Sequence, residues 1–182
     1  VFGSSAAVWH KEILFALSHD VEVLGAASMG ALRAAECAAF GMIPVGRIAE
    51  AYCSGQIDDD AAVALVFGPA ELGYCPLSEP LVDVDDKVER LCGAGLLSDE
   101  EGNRIQQAAR ALHFADRSAE ALFALAFPDR DRRQTLFAHY AARTPSAKQR
   151  DALELLRRIR GPLAAPRPRA WQMREAPYWS PI

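Results

Sequence analysis

Residues 21–41 constrain the fold of this chain more than any other stretch. Val21-Glu22-Val23-Leu24-Gly25 is short, β-branched and followed by small residues, which predicts a buried strand. Residues 29–40 are rich in Ala and Leu and predict a helix, and Gly41 stands where a C′ glycine would end it. Only Ala26, Ala27 and Ser28 separate the two, so the backbone must turn sharply. Strand, tight turn and helix in that order make half of a βαβ unit. An upstream helical pattern, with Trp9, Ile13, Ala16 and Leu17 on one apolar face, supplies the other crossover. A parallel sheet follows from that alternation. The expected fold class is therefore α/β. It comprises a three-layer, parallel-sheet N-terminal region with a strand–turn–helix serine elbow, followed by a helical C-terminal region.

The rest of the chain divides by its turn signals. A short helix over 47–53 ends at Ser54-Gly55, and the acidic run Asp58-Asp59-Asp60 leads into 61–67, strand or helix, stopped by Gly68-Pro69. Pro76 and Pro80 confine any strand over 77–84 to a sheet edge. Helices are predicted over 85–93, up to the Gly93-Ala94-Gly95 turn, and from the capping box Ser98-x-x-Glu101 to about residue 114. Three more fit 118–127, 130–142 and 146–160, the last with Leu153, Leu156 and Ile159 on one face. Residues 161–182 hold five of the eleven prolines with Trp171, Tyr178 and Trp179, and read as an extended arm docked through its aromatics. The expected organisation is an α/β core over 1–84, a helical region over 85–160 and the arm over 161–182.

Several function classes are excluded by composition. No apolar run approaches the ~18 residues of a membrane span, since residues 23–35 are interrupted by Ser28, Gly30 and Arg33. The start has no signal-peptide pattern, so a soluble cytoplasmic protein is expected. The chain opens on Val1-Phe2-Gly3 without Met, and a natural N-terminal segment carrying a strand is expected to precede it. The four cysteines at 37, 53, 75 and 92 form no C-x-x-C pair, which argues against zinc and dithiol motifs and for reduced, mostly buried thiols. No metal-ligand spacing and no phosphate-cradling loop occur, so no cofactor is expected. Residues 1–60 carry 3 basic and 8 acidic side chains, 61–128 carry 5 and 11, and 129–182 carry 12 and 5. A basic tail on an acidic body points to an acidic partner surface, and no nucleic-acid motif accompanies it.

The chemistry concentrates at Gly25-Ala26-Ala27-Ser28-Met29-Gly30-Ala31. A nucleophile on a strand-to-helix turn has its hydroxyl pushed out of the sheet. It needs small residues two places before and after, and it has the next N–H available at a positive helix terminus. Here those are Ala26, Gly30 and the Met29 N–H, with Ala26 standing where the strict pattern has glycine. The bland alternatives are that Ser28 only caps the helix, or that the small residues only allow close packing. His10, Lys11 and Glu12 open the first helix. His10 is a candidate base or an ordinary helix histidine, and Lys11 a second candidate or a solvated charge. Arg33 and Glu36 face each other at i, i+3, as a functional pair or a surface ion pair. The run Asp58-Asp59-Asp60 is a capping turn, or a site for a metal or cationic partner.

The same seven-residue string resembles the nucleophile segment of ClpP-type serine proteases. A longer resemblance runs through three ordered blocks: Val8-Trp9-His10-Lys11-Glu12-Ile13-Leu14, the segment from Gly25 to Glu36, and Phe40-Gly41-Met42. With Val45-Gly46-Arg47-Ile48, Tyr52, Gly55, Asp58-Asp59-Asp60 and Val63-Ala64-Leu65 behind them, residues 6–90 resemble the TfuA-like family, and Leu112-His113-Phe114-x-Asp116-Arg117 extends the match loosely. The resemblance implies a place in peptide natural-product biosynthesis beside a YcaO enzyme, which exchanges a backbone amide oxygen for sulfur. It further implies sulfide release from a ThiS-like carrier bearing a C-terminal thiocarboxylate, with the precursor peptide engaged indirectly and neither nucleic acid nor membrane as partner. Serine-centred acyl transfer fits that reaction. The expected catalytic set is Ser28, His10 (first choice of base), Lys11 (second), Met29 and Glu36, with Arg33, Gly30 and Asp59 contacting substrate. A non-catalytic adaptor joining carrier and YcaO enzyme, and a serine peptidase or esterase, are the alternatives.

Overall fold

The computed structural model of the protein describes residues 7–142, 144–161 and 170–174. Among them the fold is mixed and mainly helical, with eight α-helices and a two-stranded parallel sheet. The chain forms two units, one over Asp59–Ala147 and the other from the segment ending at Asp58 together with the chain from Lys148 onward.

The unit that contains Ser28 begins with α1 (His10–Ser18), whose buried residues Ile13 and Leu17 lie one turn apart. Glu12 starts the helix by accepting the Trp9 N–H at 2.6 Å, satisfying a donor the helix leaves orphaned. Strand β1 (Leu24–Gly25) then feeds α2 (Met29–Cys37), which tightens into a 3-10 turn over Ala38–Phe40 and ends on Gly41 at φ 106. This reversal returns the chain to β2 (Ile43–Pro44), parallel to β1 with Leu24 opposite Ile43 and Gly25 opposite Pro44. Strand β1 is shorter than the run from Val21 to Gly25 suggests, and β2 has no signal of its own in the sequence. Two residues, one of them proline, give no alternation to detect, and pairing alone defines them.

Helix α2 buries Ala31, Ala34 and Cys37, the last two in a core with Ile13, Leu17 and Met42. Helix α3 (Arg47–Cys53) ends, as expected, before Ser54-Gly55. Its N-terminus is capped from far away, because the buried Asp151 carboxylate on α8 (Ala147–Ile159) accepts the Arg47 N–H at 3.1 Å and the Ile48 N–H at 2.9 Å. Gly46 at φ 87 leaves room for that carboxylate, which a Cβ there would strike. Trp171 packs against the same core, donating its Nε1–H to the Phe40 carbonyl at 2.9 Å and meeting the Phe40 ring edge-on at 5.6 Å. Tyr178 and Trp179 lie outside the described residues.

The second unit is helical. A 3-10 turn over Asp60–Val63 leads through a loop to α4 (Leu81–Gly93), then α5 (Asp99–Ala111), α6 (Ala119–Ala126) and α7 (Arg130–Tyr140). No strand forms over 77–84, the segment that the prolines would have confined to a sheet edge. The chain instead enters α4 directly after Pro80, and Val82, Asp83, Val84, Asp86 and Val88 are buried along the helix. The alternating Val82 and Val84 imitate a strand, and packing against α5 overrides that pattern. Ser98 and Glu101 form the expected capping box at α5. Val84, Ile105, Leu122, Phe123, Leu136 and Tyr140 are central to the core. Buried Arg117 donates to the Ala109, Leu112 and Glu79 carbonyls at 2.8, 3.2 and 3.3 Å, closing the end of α5.

All four cysteines are free. Only Cys37 is buried, with Cys53 and Cys75 exposed and Cys92 between, so the expectation of mostly buried thiols is corrected. Cys53 ends a surface helix and Cys75 sits in a loop, positions that the amino-acid type alone does not reveal.

Candidate active site

The turn that carries Ser28 is tighter than a helix cap requires. The Ser28 N–H donates to the Ala26 carbonyl at 2.8 Å, and Ala27 between them has φ 69. An i to i+2 bond around a positive φ is the arrangement of a γ-turn, an uncommon and strained conformation for alanine. The Ser28 carbonyl accepts the first helical bonds, from Ala31 at 2.9 Å and Leu32 at 3.3 Å. Its half-buried side chain makes no capping hydrogen bond. The Met29 and Gly30 N–H groups open the helix and donate to no acceptor among the described residues.

The close approach anticipated between Ala26 and Gly30 is made instead by Gly25 and Gly30. A Cβ on Gly25 would collide with the Gly30 carbonyl oxygen and stand 2.7 Å from Met42 Cε and 2.9 Å from Ala34 Cβ. Glycine at the last position of β1 is therefore what lets α2 start so near the strand. The spacing around Ser28 points to Ala26 and Gly30, whereas the tightest contact falls on Gly25, the residue that ends the strand.

His10, Arg33 and Glu36 converge on the outer side of α2. Glu36 Oε2 lies 2.8 Å from His10 Nε2 and 2.5 Å from Arg33 Nη1, and Arg33 Nε reaches the Val8 carbonyl at 3.3 Å. The start of α1 is thereby clipped to α2. Partial burial pushes the Glu36 carboxyl up, but hydrogen bonds from Arg33 and His10, together with their charges, hold it below the usual carboxylate range. Eight residues separate Glu36 from Ser28, about 12 Å along a helix axis. No hydrogen bond joins His10 to Ser28 among the described residues, and Lys11 is exposed without one. Asp59 lies in the other unit, where its carboxylate accepts the Ala61 N–H at 2.8 Å and caps the 3-10 turn. Among the described residues no cluster of His, Cys, Asp and Glu has the arrangement of a metal site.

A family profile described as TfuA-like protein matches residues 1–118, which spans α1 to α5 and includes the whole Ser28 turn. The chain belongs to the TfuA-like family. No curated protein matches it. Membership in the TfuA-like family is consistent with an accessory role beside a YcaO enzyme in thioamide formation. No helix among the described residues of this TfuA-like chain is long and apolar enough to cross a membrane. The TfuA-like match takes in Trp9, His10, Arg33 and Glu36 but stops short of Asp151, which caps α3 from outside the matched region.

Proposed function

We propose that this TfuA-like protein releases sulfide from the C-terminal thiocarboxylate of a ThiS-like carrier and supplies it to a YcaO enzyme that makes a peptide thioamide. The observation that carries this is the Ser28 turn, in which a serine hydroxyl without a capping bond stands beside two helix-terminal N–H groups without acceptors. Ser28 Oγ attacks the thiocarboxylate carbon, and the Met29 and Gly30 N–H groups receive the developing oxyanion. The serine proton passes to a base and from the base to the thiolate sulfur, so that the C–S bond breaks and hydrosulfide leaves. Water hydrolyses the resulting acyl-serine, returning the carrier as a carboxylate. His10 is the first candidate base and Lys11 the second, with Glu36 orienting the imidazole and Arg33 contacting the carrier. The strand pair β1–β2 belongs, in this proposal, to a three-layer parallel sheet with Ser28 at its nucleophile elbow.

One observation favours a second function. His10 is engaged by Glu36 and Arg33 rather than by Ser28, which suits an adaptor that joins carrier and YcaO enzyme without chemistry of its own. Incubating thiocarboxylated carrier with this protein alone separates the two. Accelerated sulfide release that depends on Ser28 supports hydrolysis, and decay at the spontaneous rate leaves the adaptor. Cleavage of unrelated activated esters at comparable rates would point to a general esterase.

A further inference from the structure

Helix α1 carries His10 and Lys11, yet little of its surface is buried. Among its residues only Ile13 and Leu17 are buried, and Val8 and Trp9 just before it are 59% and 68% exposed. Its first turn is clipped to α2 through His10 and Glu36, both partly in water, and ion pairs in that setting hold weakly. Helix α2, by contrast, packs against α3 and the strand pair as well as against α1.

A further attachment of α1 comes from residues 170–174, which belong to the same unit. Exposure alternates along them. Trp171 and Met173 are half-buried while Gln172 and Arg174 are exposed, so the chain runs extended with every second side chain turned inward. Trp171 packs against the core formed by Ile13 and Leu17 of α1, Ala34 and Cys37 of α2, and Met42. Its indole N–H satisfies the Phe40 carbonyl at 2.9 Å, at the end of the 3-10 turn that follows α2. Met173 Sδ lies 4.0 Å from Ser18 Oγ, on the last residue of α1. The Ser18 hydroxyl has one proton and the Phe15 carbonyl stands 2.7 Å from it, so the sulfur contributes packing more than a hydrogen bond.

Among the described residues no backbone hydrogen bond joins 170–174 to the rest of the chain. The segment is held by side chains, and chiefly by one. Trp171 is also the one aromatic packed against that core among the described residues, so its ring supplies a large share of the apolar contact available to α1. An attachment of this kind can open locally while the elements beneath it stay folded.

We propose that residues 170–174 form a releasable strap that decides whether α1 is docked on α2. With the strap seated, α1 is held and His10 stands at Glu36. With it released, α1 loses the Trp171 contact and lifts away, taking His10 and Lys11 with it. Trp171 is then a positioning residue that acts on His10 through the helix. The strap governs the whole of α1, whereas the Glu36 clip governs its first turn. This inference rests on the packing of α1 and not on the chemistry assigned to Ser28.

Amide hydrogen exchange of the chain, followed residue by residue by NMR, tests it. In Trp171→Ala, exchange is expected to speed by at least about tenfold throughout α1, from Ile13 to Ser18, while Ala34–Cys37 in α2 and Ile105–Ala109 in α5 keep their rates. Trp171→Phe keeps an aromatic ring without the N–H and should retain most of the protection. Gln172→Ala alters an exposed side chain of the same segment and should change nothing. Unchanged exchange of α1 in Trp171→Ala overturns the proposal. Acceleration confined to Leu17 and Ser18 would mean that Trp171 supports the last turn alone. Equal acceleration in α1 and α2, or loss of the fold, would make it an ordinary core residue. Each of these outcomes refutes the strap.

Discussion

Gly25 and Gly30 meet so closely across the strand-to-helix turn that a Cβ on Gly25 would collide with the Gly30 carbonyl oxygen, whereas a Cβ on Gly30 would stand 3.6 Å from Gly25 Cα. The two glycines are therefore not equivalent. Gly25→Ala is expected to destabilise by about 3 kcal/mol or more, because backbone, Met42 and Ala34 would all have to shift. Gly30→Ala makes only ordinary contacts and should be neutral, or stabilising by up to about 1 kcal/mol through helix propensity. Urea denaturation of the two variants side by side checks the asymmetry.

Ser28→Ala is expected to separate activity from stability. Sulfide release from the carrier should fall about a thousandfold, since a nucleophile and its base act as a unit. Stability should change by less than about 0.5 kcal/mol, because the hydroxyl caps nothing. Ser98→Ala provides the contrast: that hydroxyl accepts the Glu101 N–H at 3.2 Å, and its loss should cost about 1 kcal/mol. In Ser28→Cys, mass spectrometry after mixing with thiocarboxylated carrier should find the acyl group on residue 28. A folded Ser28→Ala protein releasing sulfide at the parent rate would leave the adaptor as the better account.

Asp151 ties α8 to the start of α3, and its titration has a definite sign. Burial pushes its carboxyl above the usual range, against the pull of the Ile48 and Arg47 N–H bonds. The folded protein then holds this proton at pH values where the unfolded chain has released it. The contribution to stability is fully present below about pH 4, the usual carboxyl value, and declines as pH rises through the folded one. Asp151→Asn should remove that decline, seen as the difference between the two proteins' stability–pH curves. Asp151→Ala should cost about 1–3 kcal/mol by stranding the Arg47 and Ile48 amides.

Glu36 titrates with the opposite sign. Its carboxyl is held below the usual range, so its contribution is present above the usual carboxylate value and is lost as pH falls through the folded one. The side chain is 38% exposed, which limits the global effect to well under about 1 kcal/mol. The local effect should be larger. Glu36→Gln is expected to speed hydrogen exchange over the first turn of α1, while the core of α2 keeps its protection. Unchanged exchange at His10–Ile13 would show that the clip does not hold that turn.

What the amino-acid order determined by itself is local. The Met29–Cys37 helix, its end at Gly41, the Ser98–Glu101 capping box and the facing of Arg33 and Glu36 each rest on residues within about one turn of one another. Propensity, capping and helical spacing act at that range, so these features were legible. The tertiary structure decided the rest. It decided that Leu81–Gly93 is one helix, because burial against α5 outweighed a β-branched pattern. It moved the close approach at the Ser28 turn to Gly25, a consequence of where β1 runs beneath α2. It brought His10 to Glu36 across 26 residues and Asp151 to Ile48 across 103. Such pairings leave no periodic trace along the chain, because they exist only once packing has folded distant segments onto one another.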